Sequence, residues 1–237
     1  MSLFELRQAL YLDAGDAQDA VHAAFAPKAQ VSLAYPFEDL EGGAAYWGRA
    51  LAPLRRAMPD LERRDFICIT GQDDHGATWV GCAGHYMGNF AAPFLEIPPT
   101  GRIVSMRYHE FFRIEDGLIV EMQALWDIPD LMMQAQVWPM APSLGRDWHT
   151  PSPATQDGLG PHPVARSDAA KKHVIDMLTA LQRHPAEGGP EVMEMPKYWH
   201  PKFNWYGPAG IGTSRGIKGF RDLHQIPFLA AMPDHTN

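Results

Sequence analysis

A single carboxylate on an otherwise apolar strand is the first candidate for chemistry in this sequence. Side chains alternate across the strand predicted for residues 102–114, so Glu110 shares a face with Tyr108 and several apolar residues. Burial disfavours the charged form of a carboxyl group and so suits it to proton transfer. A neighbouring tyrosine hydroxyl can donate a hydrogen bond to a substrate oxygen. The structural alternative is that Glu110 lies at the sheet rim, or pairs with an arginine or a helix N-terminus.

Apolar side chains of this strand and the next could line a ligand pocket, although core packing explains them equally well. The even positions of residues 118–127 are uniformly apolar. We therefore predict that Glu110 points inward beside Tyr108 as a catalytic pair. The predicted substrate-binding residues are Met106, Phe112, Met122, Ala124 and Trp126, together with His85 and Tyr86 of the preceding strand.

Other chemical signals are weaker. His85 and His109 lie on predicted strands, but the sequence has no HExxH or comparable ligand spacing, so we expect no metal and no cofactor. Residues 207–214 resemble a phosphate loop but lack its Gly-Lys-Ser/Thr ending, and are predicted to form a tight loop before a helix. The pairs Arg55-Arg56 and Arg63-Arg64 are interpreted as a solvated face.

Two hairpins and two helices must position the candidate residues. Polar turn residues separate residues 64–70 from 77–87, and Asp-Gly separates 102–114 from 118–127. Apolar residues recur at helical spacing in residues 16–25 and again from Tyr46 to Met58. Pro53 lies within the second stripe, so a kink is expected there. Helices followed by an antiparallel meander predict an α+β domain with helices on one face of a curved sheet.

The sequence repeats itself. The segment from Phe25 aligns without a gap with the segment from Trp199, at an offset of 199 − 25 = 174. Gly42 recurs as Gly216, and residues 57–60 (AMPD) recur as 231–234. Such self-similarity indicates one module followed by the first part of a second. The strand-rich half of the second copy does not follow, so we expect a fragment. The alternative is a degenerate second copy.

The repeat divides the chain into three predicted segments. Residues 1–140 form the first module, residues 141–166 form a linker rich in Pro, Gly and Ser, and residues 167–237 begin the second module. Ser167 is the predicted N-cap of the first helix of the second module, and a later helix is predicted over about 217–230.

Composition limits the broad class of the protein. The 237 residues are 46% hydrophobic and 20% charged, as in a soluble globular protein, and a net charge of −8 argues against a nucleic-acid partner. We find no signal peptide and no apolar run of the roughly 18 residues that span a membrane, so we expect a cytoplasmic location and no membrane partner. Cys68 and Cys82 are expected to be reduced. They are equidistant from His75 in the predicted turn, which makes them candidate cross-strand neighbours.

Several motifs resemble the SnoaL-like polyketide cyclases of the nuclear-transport-factor-2 (NTF2) superfamily. They are residues 84–88 (GHYMG), 97–102 (IPPTGR), 112–121 (FRIEDGLIVE) and 126–127 (WD). The resemblance covers about residues 15–138. The second copy is similar to the opening half of the same module, especially over residues 205–220, and the arrangement resembles a tandem-module branch of the family.

The resemblance implies an NTF2-like cone, in which a curved antiparallel sheet wraps around helices and encloses a pocket. The family's cyclases use an acidic residue on the last strand for an intramolecular aldol closure, and that position is Ala124 here. The polar pocket partners of the family fall at Tyr108 and Glu110, and its pocket asparagine falls at Val31. An alanine cannot transfer a proton, which argues against a cyclase with that mechanism.

Two functions remain open at this point. The first is a SnoaL-like protein that binds a small hydrophobic, carbonyl-bearing metabolite, with Glu110 as base and Tyr108 as oxyanion donor in an isomerase- or lyase-type proton transfer. The alternative is a non-catalytic ligand-binding or oligomerisation module that pairs modules, within or between chains, through the outer face of its sheet. Ala124 favours the alternative, and a carboxylate inside a dry pocket favours the enzyme.

Overall fold

The chain forms two compact units. The computed structural model describes residues 7–8, 11–147, 152–156, 158–159, 163–184 and 187–232. The first unit comprises residues 1–139 and 151–159, and the second comprises residues 140–150 and 160–237. Parts of the predicted linker therefore pack with each unit: Gly158 O accepts a hydrogen bond from Cys68 N–H, and Arg146 bridges to Thr213.

The first unit follows the predicted order of helices and hairpins, with two further strands near its beginning. Its elements are α1 (Ala14–Ala24), β1 (Phe25–Leu33), β2 (Asp39–Glu41), α2 (Gly42–Tyr46), a π-helical segment (Trp47–Leu51), α3 (Ala52–Ala57), β3 (Glu62–Gln72), β4 (Thr78–Asn89), β5 (Ile103–Glu115), β6 (Leu118–Trp126) and α4 (Ile128–Gln134).

Six strands form one mixed sheet in the order β2-β1-β6-β5-β4-β3. β3 to β6 form the predicted antiparallel meander, but β1 runs parallel to β6. The predicted antiparallel arrangement is therefore confirmed for β3 to β6, and the pairing of β1 with β6 makes the complete sheet a mixed one. Alternation of apolar residues indicates which face of a strand is buried, but it carries no information on the direction of the neighbouring strand.

The predicted irregularity at Pro53 takes the form of a π-helical segment between α2 and α3. Proline has no N–H to donate to the preceding turn, so a regular α-helical ladder cannot continue through it. Ala52 N–H instead bonds Trp47 O, five residues back. The helix is thereby continuous from Gly42 to Ala57, and Leu54 and Met58 are fully buried in the core.

The helices cover the inner face of the sheet, which is formed by the even-numbered residues of β4 and β5 and by the even-numbered residues of β6 from Met122 onward. These residues carry much of the main hydrophobic core of the first unit, as the predicted alternation requires. Glu110 is completely buried there, between Tyr108 and Phe112. A register shift at the start of β6 pairs Ile119 with Ile114 and so places Ile119 on the inner face as well. The odd-numbered residues of β4, of β5 and of β6 from Glu121 onward form the opposite, outer face.

A bulge in β3 determines which of its side chains reach the inner face. Asp65 pairs with Gly84 and Ile67 pairs with Ala83, so Phe66 is an additional residue without a partner of its own. A bulge shifts the alternation of a strand by one residue. Arg63 and Asp65 before the bulge and Cys68 after it therefore all share the inner face.

The second unit contains short elements around a small core. They are α5 (Val164–Leu181), a 3₁₀ turn (Pro190–Met193), α6 (Met195–Tyr198), β7 (Asn204–Trp205), β8 (Ser214–Arg215), α7 (Gly216–Phe220), a π-helical segment (Arg221–Gln225) and α8 (Ile226–Ala231). The prediction that Ser167 caps α5 is wrong, because the helix begins three residues earlier. The later helix lies where it was expected.

The two units share local structure at the offset of the sequence repeat. The strand pairs Gln30–Glu41 and Asn204–Arg215 correspond, as do the π-helical segments that begin at Trp47 and Arg221. Gly42 and Gly216 both have positive φ, of 73° and 65°. A Cβ there would lie 2.8 Å from Pro27 O and 3.1 Å from Pro201 O, respectively. The same backbone turn therefore requires glycine at both positions.

In the part of the chain that the structure describes, no helix is long and apolar enough to cross a membrane.

Candidate functional site

Glu110 lies at the centre of a buried polar cluster on the inner face. Its Oε1 accepts hydrogen bonds from Tyr86 Oη and Trp126 Nε1, both at 2.9 Å. Its Oε2 accepts a hydrogen bond from Arg63 Nη1 at 2.5 Å. Both carboxylate oxygens are thus occupied by donors from three other strands, which explains how a carboxylate is retained in an apolar core.

Arg63 connects Glu110 to a second carboxylate. Its Nη2 lies 3.1 Å from Asp65 Oδ1, and its Nη1 also donates to Tyr86 Oη at 3.0 Å. The guanidinium stands 4.3 Å from the centroid of the Tyr108 ring, a distance at which a cation is attracted to the ring face. The side chain of Arg63 is only 6% exposed, so the interpretation of Arg63 as part of a solvated face is wrong.

Tyr108 reaches across β4 to the same cluster. Its hydroxyl donates to Asp65 Oδ1 at 2.8 Å, although β4 lies between the strands that carry the two residues. Gly84 is the residue between them in this row. A Cβ at Gly84 would clash with the Tyr108 hydroxyl and with Arg64 O, so the absence of a side chain allows the contact.

Burial fixes the protonation of the cluster's tyrosines. It raises the pKa values of Tyr46, Tyr86 and Tyr108 well above the ordinary tyrosine value, and the negative charge of Glu110 raises them further. Burial alone would lower the pKa of Arg63, but Glu110 and neighbouring groups raise it above its usual value. At neutral pH the three hydroxyls are therefore donors and Arg63 is a cation.

Residues from the beginning of the chain cover the end of the cluster. Tyr11 Oη donates to Arg63 O at 3.0 Å and accepts from Arg63 N–H at 3.2 Å. Arg7 Nε lies 2.6 Å from Asp65 Oδ2, but this contact lacks hydrogen-bond alignment, and Oδ2 accepts no hydrogen bond within the described residues. The Arg7 contact is an ion pair without a directed hydrogen bond.

Most of the predicted site residues are brought together. The side chains of Met106, Phe112, Met122 and Trp126 are buried on the inner face, Tyr86 binds Glu110, and Ala124 is the direct partner of Glu110 on β6. His85 has the opposite parity and packs against Phe66, with ring centroids 5.4 Å apart. The structure therefore does not bring His85 together with Tyr86, because consecutive residues of a strand point to opposite faces.

Sequence reasoning missed Arg63 and Asp65, the two charged partners of the cluster. Both residues precede the bulge at Phe66, and this bulge cannot be recognised from the alternation of β3 alone. The available signal was the unpaired carboxylate itself, because a buried Glu110 requires a nearby cation or several donors. Pairing with an arginine was one of the alternatives for Glu110, and the structure shows that pairing.

The interior is filled by aromatic rings at the place where a ligand would have to lie. The Trp126 ring is 5.5 Å from Phe37 and 5.3 Å from Tyr86, measured between centroids. Glu110, Tyr108, Met106 and Met122 are each 0% exposed. These four residues therefore border neither solvent nor a void large enough for water.

An open groove of about 440 Å³ lies instead on the outer face, across β1, β6 and β5. Its polar lining consists of Gln30, Ser32, Gln123, His109 and Glu121, and Phe111 and Leu125 add apolar side chains. Burial lowers the pKa of His109, and Arg107 lowers it further, so the imidazole is neutral at pH 7. Within the described residues, no group of three or more His, Cys, Asp or Glu side chains could hold a metal ion.

Comparison with known proteins identifies one family. Residues 6–135, more than half of the chain, match the model of the SnoaL-like polyketide cyclases. No curated protein matches the chain significantly.

Solved structures with a similar fold include a SnoaL-like protein from Jannaschia sp. CCS1, with 21% identity over 59% of this chain and 88% of that chain, and a TM-score of 0.46. IdmH from Streptomyces antibioticus has 22% identity over 57% of this chain and 94% of its own, with a TM-score of 0.45. AclR from Streptomyces galilaeus has 18% identity over 57% and 93%, with a TM-score of 0.47.

Proposed function

The chain belongs to the SnoaL-like polyketide cyclase family, and within that family we propose that its first unit is a non-catalytic module that acts by association. The observation that carries this proposal is the state of Glu110, which is completely buried and receives hydrogen bonds from Arg63, Tyr86 and Trp126. The family's acid position holds Ala124, so β6 supplies no second acid at this point of the interior.

Proton transfer by Glu110 would require three costly changes. A substrate would have to enter between packed rings, displace at least one donor from the carboxylate, and take Glu110 out of its ion pair. Breaking a buried ion pair leaves an uncompensated charge, which typically costs about 3–5 kcal/mol. The cluster is therefore better suited to fixing one packing of the core than to exchanging protons.

The outer-face groove is the surface through which we propose that the module associates, and a second copy of this chain is the proposed occupant. An interface with twofold symmetry needs projections and a recess on the same surface. Phe111 and Leu125 are 46% and 51% exposed beside the groove, which meets that requirement.

The charges of the groove also permit two copies to face each other. Glu121 is already paired with Arg113 at 3.0 Å and accepts from Gln123 at 2.8 Å. The remaining polar lining consists of neutral amides, a hydroxyl and a neutral imidazole. Most of the lining is therefore uncharged, which limits like-charge repulsion between two such faces, and the acidic Asp39 and Glu41 lie beside the groove on β2.

The test is the oligomeric state of the full chain, measured by sedimentation over a range of concentrations. We expect a dimer for the wild type and a monomer for Leu125→Glu, because a carboxylate at the contact would be buried without a partner. Ile103→Glu is the matched control: Ile103 lies on the outer face of β5, is 68% exposed and does not line the groove. A monomeric wild type, or a Leu125→Glu variant that still dimerises, would contradict the proposal.

Family membership favours a second candidate, the binding of a small hydrophobic, carbonyl-bearing metabolite with isomerase- or lyase-type proton transfer. Glu110 would be the base and Tyr108 the oxyanion donor, and Met106, Phe112, Met122, Ala124, Trp126 and Tyr86 would line the pocket after the rings separate. This candidate predicts exchange of α-protons of a carbonyl compound for deuterium. Glu110→Gln should slow that exchange by about 10²–10⁴. Exchange no faster than in buffer would favour the non-catalytic module.

For the second unit, we propose that residues 167–237 are the opening part of another SnoaL-like module. Support comes from the shared strand register, the shared π-helical segment and the shared positive-φ glycine, all at one offset. The segment 141–166 is proposed to join the modules: residues 151–159 group with the first unit, and the two ends of the segment group with the second.

A further inference from the structure

The two cysteines of the chain are direct partners across neighbouring strands. Cys68 on β3 pairs with Cys82 on β4, and their Sγ atoms are 3.7 Å apart. Cys82 is in turn the cross-strand partner of Glu110, so the thiol pair adjoins the polar cluster on the inner face. The chain has no third cysteine to compete with this pair.

The hydrogen bonding of Cys68 shows which kind of strand pair this is. Its N–H donates to Gly158 O at 2.8 Å and so points away from β4. Partners whose N–H groups point away from each other form the non-hydrogen-bonded pair of an antiparallel ladder, with Cα atoms about 4.5 Å apart. Disulfides bridge Cα atoms about 4.4–6.8 Å apart, so a pair of this kind lies at the short end of the range that a disulfide spans.

We propose that Cys68 and Cys82 form a reversible intramolecular disulfide that ties the edge strand β3 to β4. The oxidant is a low-molecular-weight disulfide such as glutathione disulfide. Overall, the two protein thiols are oxidised to one disulfide, and one glutathione disulfide is reduced to two glutathione thiols.

Exposure sets the order of the two exchange steps. Cys68 is half-buried and meets the oxidant first, whereas Cys82 is buried and its burial raises the pKa of the thiol. The Cys68 thiolate attacks glutathione disulfide, forms a mixed disulfide and releases one glutathione thiolate. The Cys82 sulfur then attacks Cys68 Sγ, and its proton passes to the second departing glutathione.

The bond would secure the strand that carries both charged partners of the cluster. β3 is the edge of the sheet, and Arg63 and Asp65 lie on it next to the bulge at Phe66. A disulfide that closes a short hairpin restricts the unfolded chain. We therefore expect the oxidised protein to melt about 5–10 °C above the reduced protein.

The experiment uses the full-length chain, reduced and then incubated with glutathione disulfide. We expect the intact mass to fall by two hydrogen atoms, both thiols to resist alkylation after denaturation, and a digest to contain a linked Cys68–Cys82 peptide. Dithiothreitol should restore both thiols. A folded protein that keeps two free thiols, carries only glutathione adducts, or links only to other chains would overturn the proposal.

A matched control moves one thiol along the same strand face. The double variant Cys68→Ser/Thr70→Cys keeps two cysteines but places the β3 thiol in the next row, opposite Val80. Diagonal positions are about 7–8 Å apart, beyond the range of a disulfide. We expect this variant to form glutathione adducts without losing two hydrogens, and to show no rise in melting temperature. An intramolecular disulfide in this variant would show that the direct pairing of Cys68 with Cys82 is not what directs the oxidation of the wild type.

Discussion

Glu110 on β5 and Ala124 on β6 are direct cross-strand partners. In this row of the interior, β5 therefore supplies a carboxylate, whereas β6 supplies only a methyl group. From β5, the carboxylate is close enough to β3 to form an ion pair with Arg63, at 2.5 Å. The acid of this module is consequently part of the structural framework that joins β3, β4, β5 and β6.

The ion pair predicts a large effect of Glu110→Gln on stability. The variant keeps the shape of the side chain but leaves Asp65 as the one carboxylate still paired with buried Arg63, so we expect the free energy of unfolding to fall by about 3 kcal/mol in urea denaturation. Glu121→Gln is the control, because the pair of Glu121 with Arg113 is partly exposed and should contribute at most about 1 kcal/mol.

The triple variant Glu110→Gln/Arg63→Met/Asp65→Asn separates loss of the ion pairs from loss of packing. Asp65 has to be replaced as well, because Arg63→Met would otherwise leave its buried carboxylate without this cation. Replacement of all three charges should recover most of the stability, since no charge of the Arg63 ion pairs then remains buried. A Glu110→Gln variant as stable as the wild type would show that the ion pair does not hold the core together.

Gly84→Ala should disturb the contact between Tyr108 and Asp65. The new methyl group would meet the Tyr108 hydroxyl and Arg64 O, and overpacking of this kind costs about 1–3 kcal/mol. Gly71→Ala is the control on the adjacent strand, because a Cβ there has no atom within 4 Å, and we expect a change within about 0.5 kcal/mol. Equal unfolding midpoints for the two variants would contradict the close approach at Gly84.

Local sequence patterns predicted much of the fold, and the reasons for the failures are physical. Alternation in β5 and β6 correctly placed Glu110 and Tyr108 inside, because a strand with one buried face leaves its period in the sequence. The parallel pairing of β1 with β6 depends on contacts between distant residues, which local periodicity does not encode.

The candidate site was less predictable than the fold for one specific reason. The bulge at Phe66 brings Arg63, Asp65 and Cys68 to one face, whereas strict alternation would separate Cys68 from the other two. The charged partners of Glu110 therefore follow from a local irregularity of β3. His85 is the opposite case: strict alternation does apply to β4, and it places His85 and Tyr86 on different faces.

The buried tyrosines predict a steep loss of stability at alkaline pH. Their folded pKa values are raised, while in the unfolded chain a tyrosine ionises near pH 10. Their contribution is therefore complete below about pH 10 and is lost as the pH rises from there toward the folded pKa values. For three such groups the slope increases from near zero at about pH 9 to about 4 kcal/mol per pH unit at about pH 11, where the tyrosines of the unfolded chain are almost fully ionised.

The slope can be measured by urea denaturation between pH 9 and pH 11. Tyr86→Phe and Tyr108→Phe should each reduce it by about one proton, or about 1.4 kcal/mol per pH unit. Tyr35→Phe is the control, because Tyr35 is 82% exposed, and it should leave the slope unchanged. A flat alkaline profile for the wild type would contradict the burial of un-ionised hydroxyls in the cluster.

The second unit should be the less stable part of the chain. Its buried core consists of Met193, Met195 and Phe220, whereas Val174 and Leu178 on α5 remain about half exposed. Few buried apolar contacts and a sheet of two short strands give low free energies of local opening.

We expect amides of residues 165–232 to exchange for deuterium much faster than those of β3–β6, as measured by mass spectrometry on the full chain. The first unit provides the internal control, since β4 and β5 have partners on both sides. Equal protection of both units in a monomeric sample would show that the second unit is stable without further cover for its apolar residues.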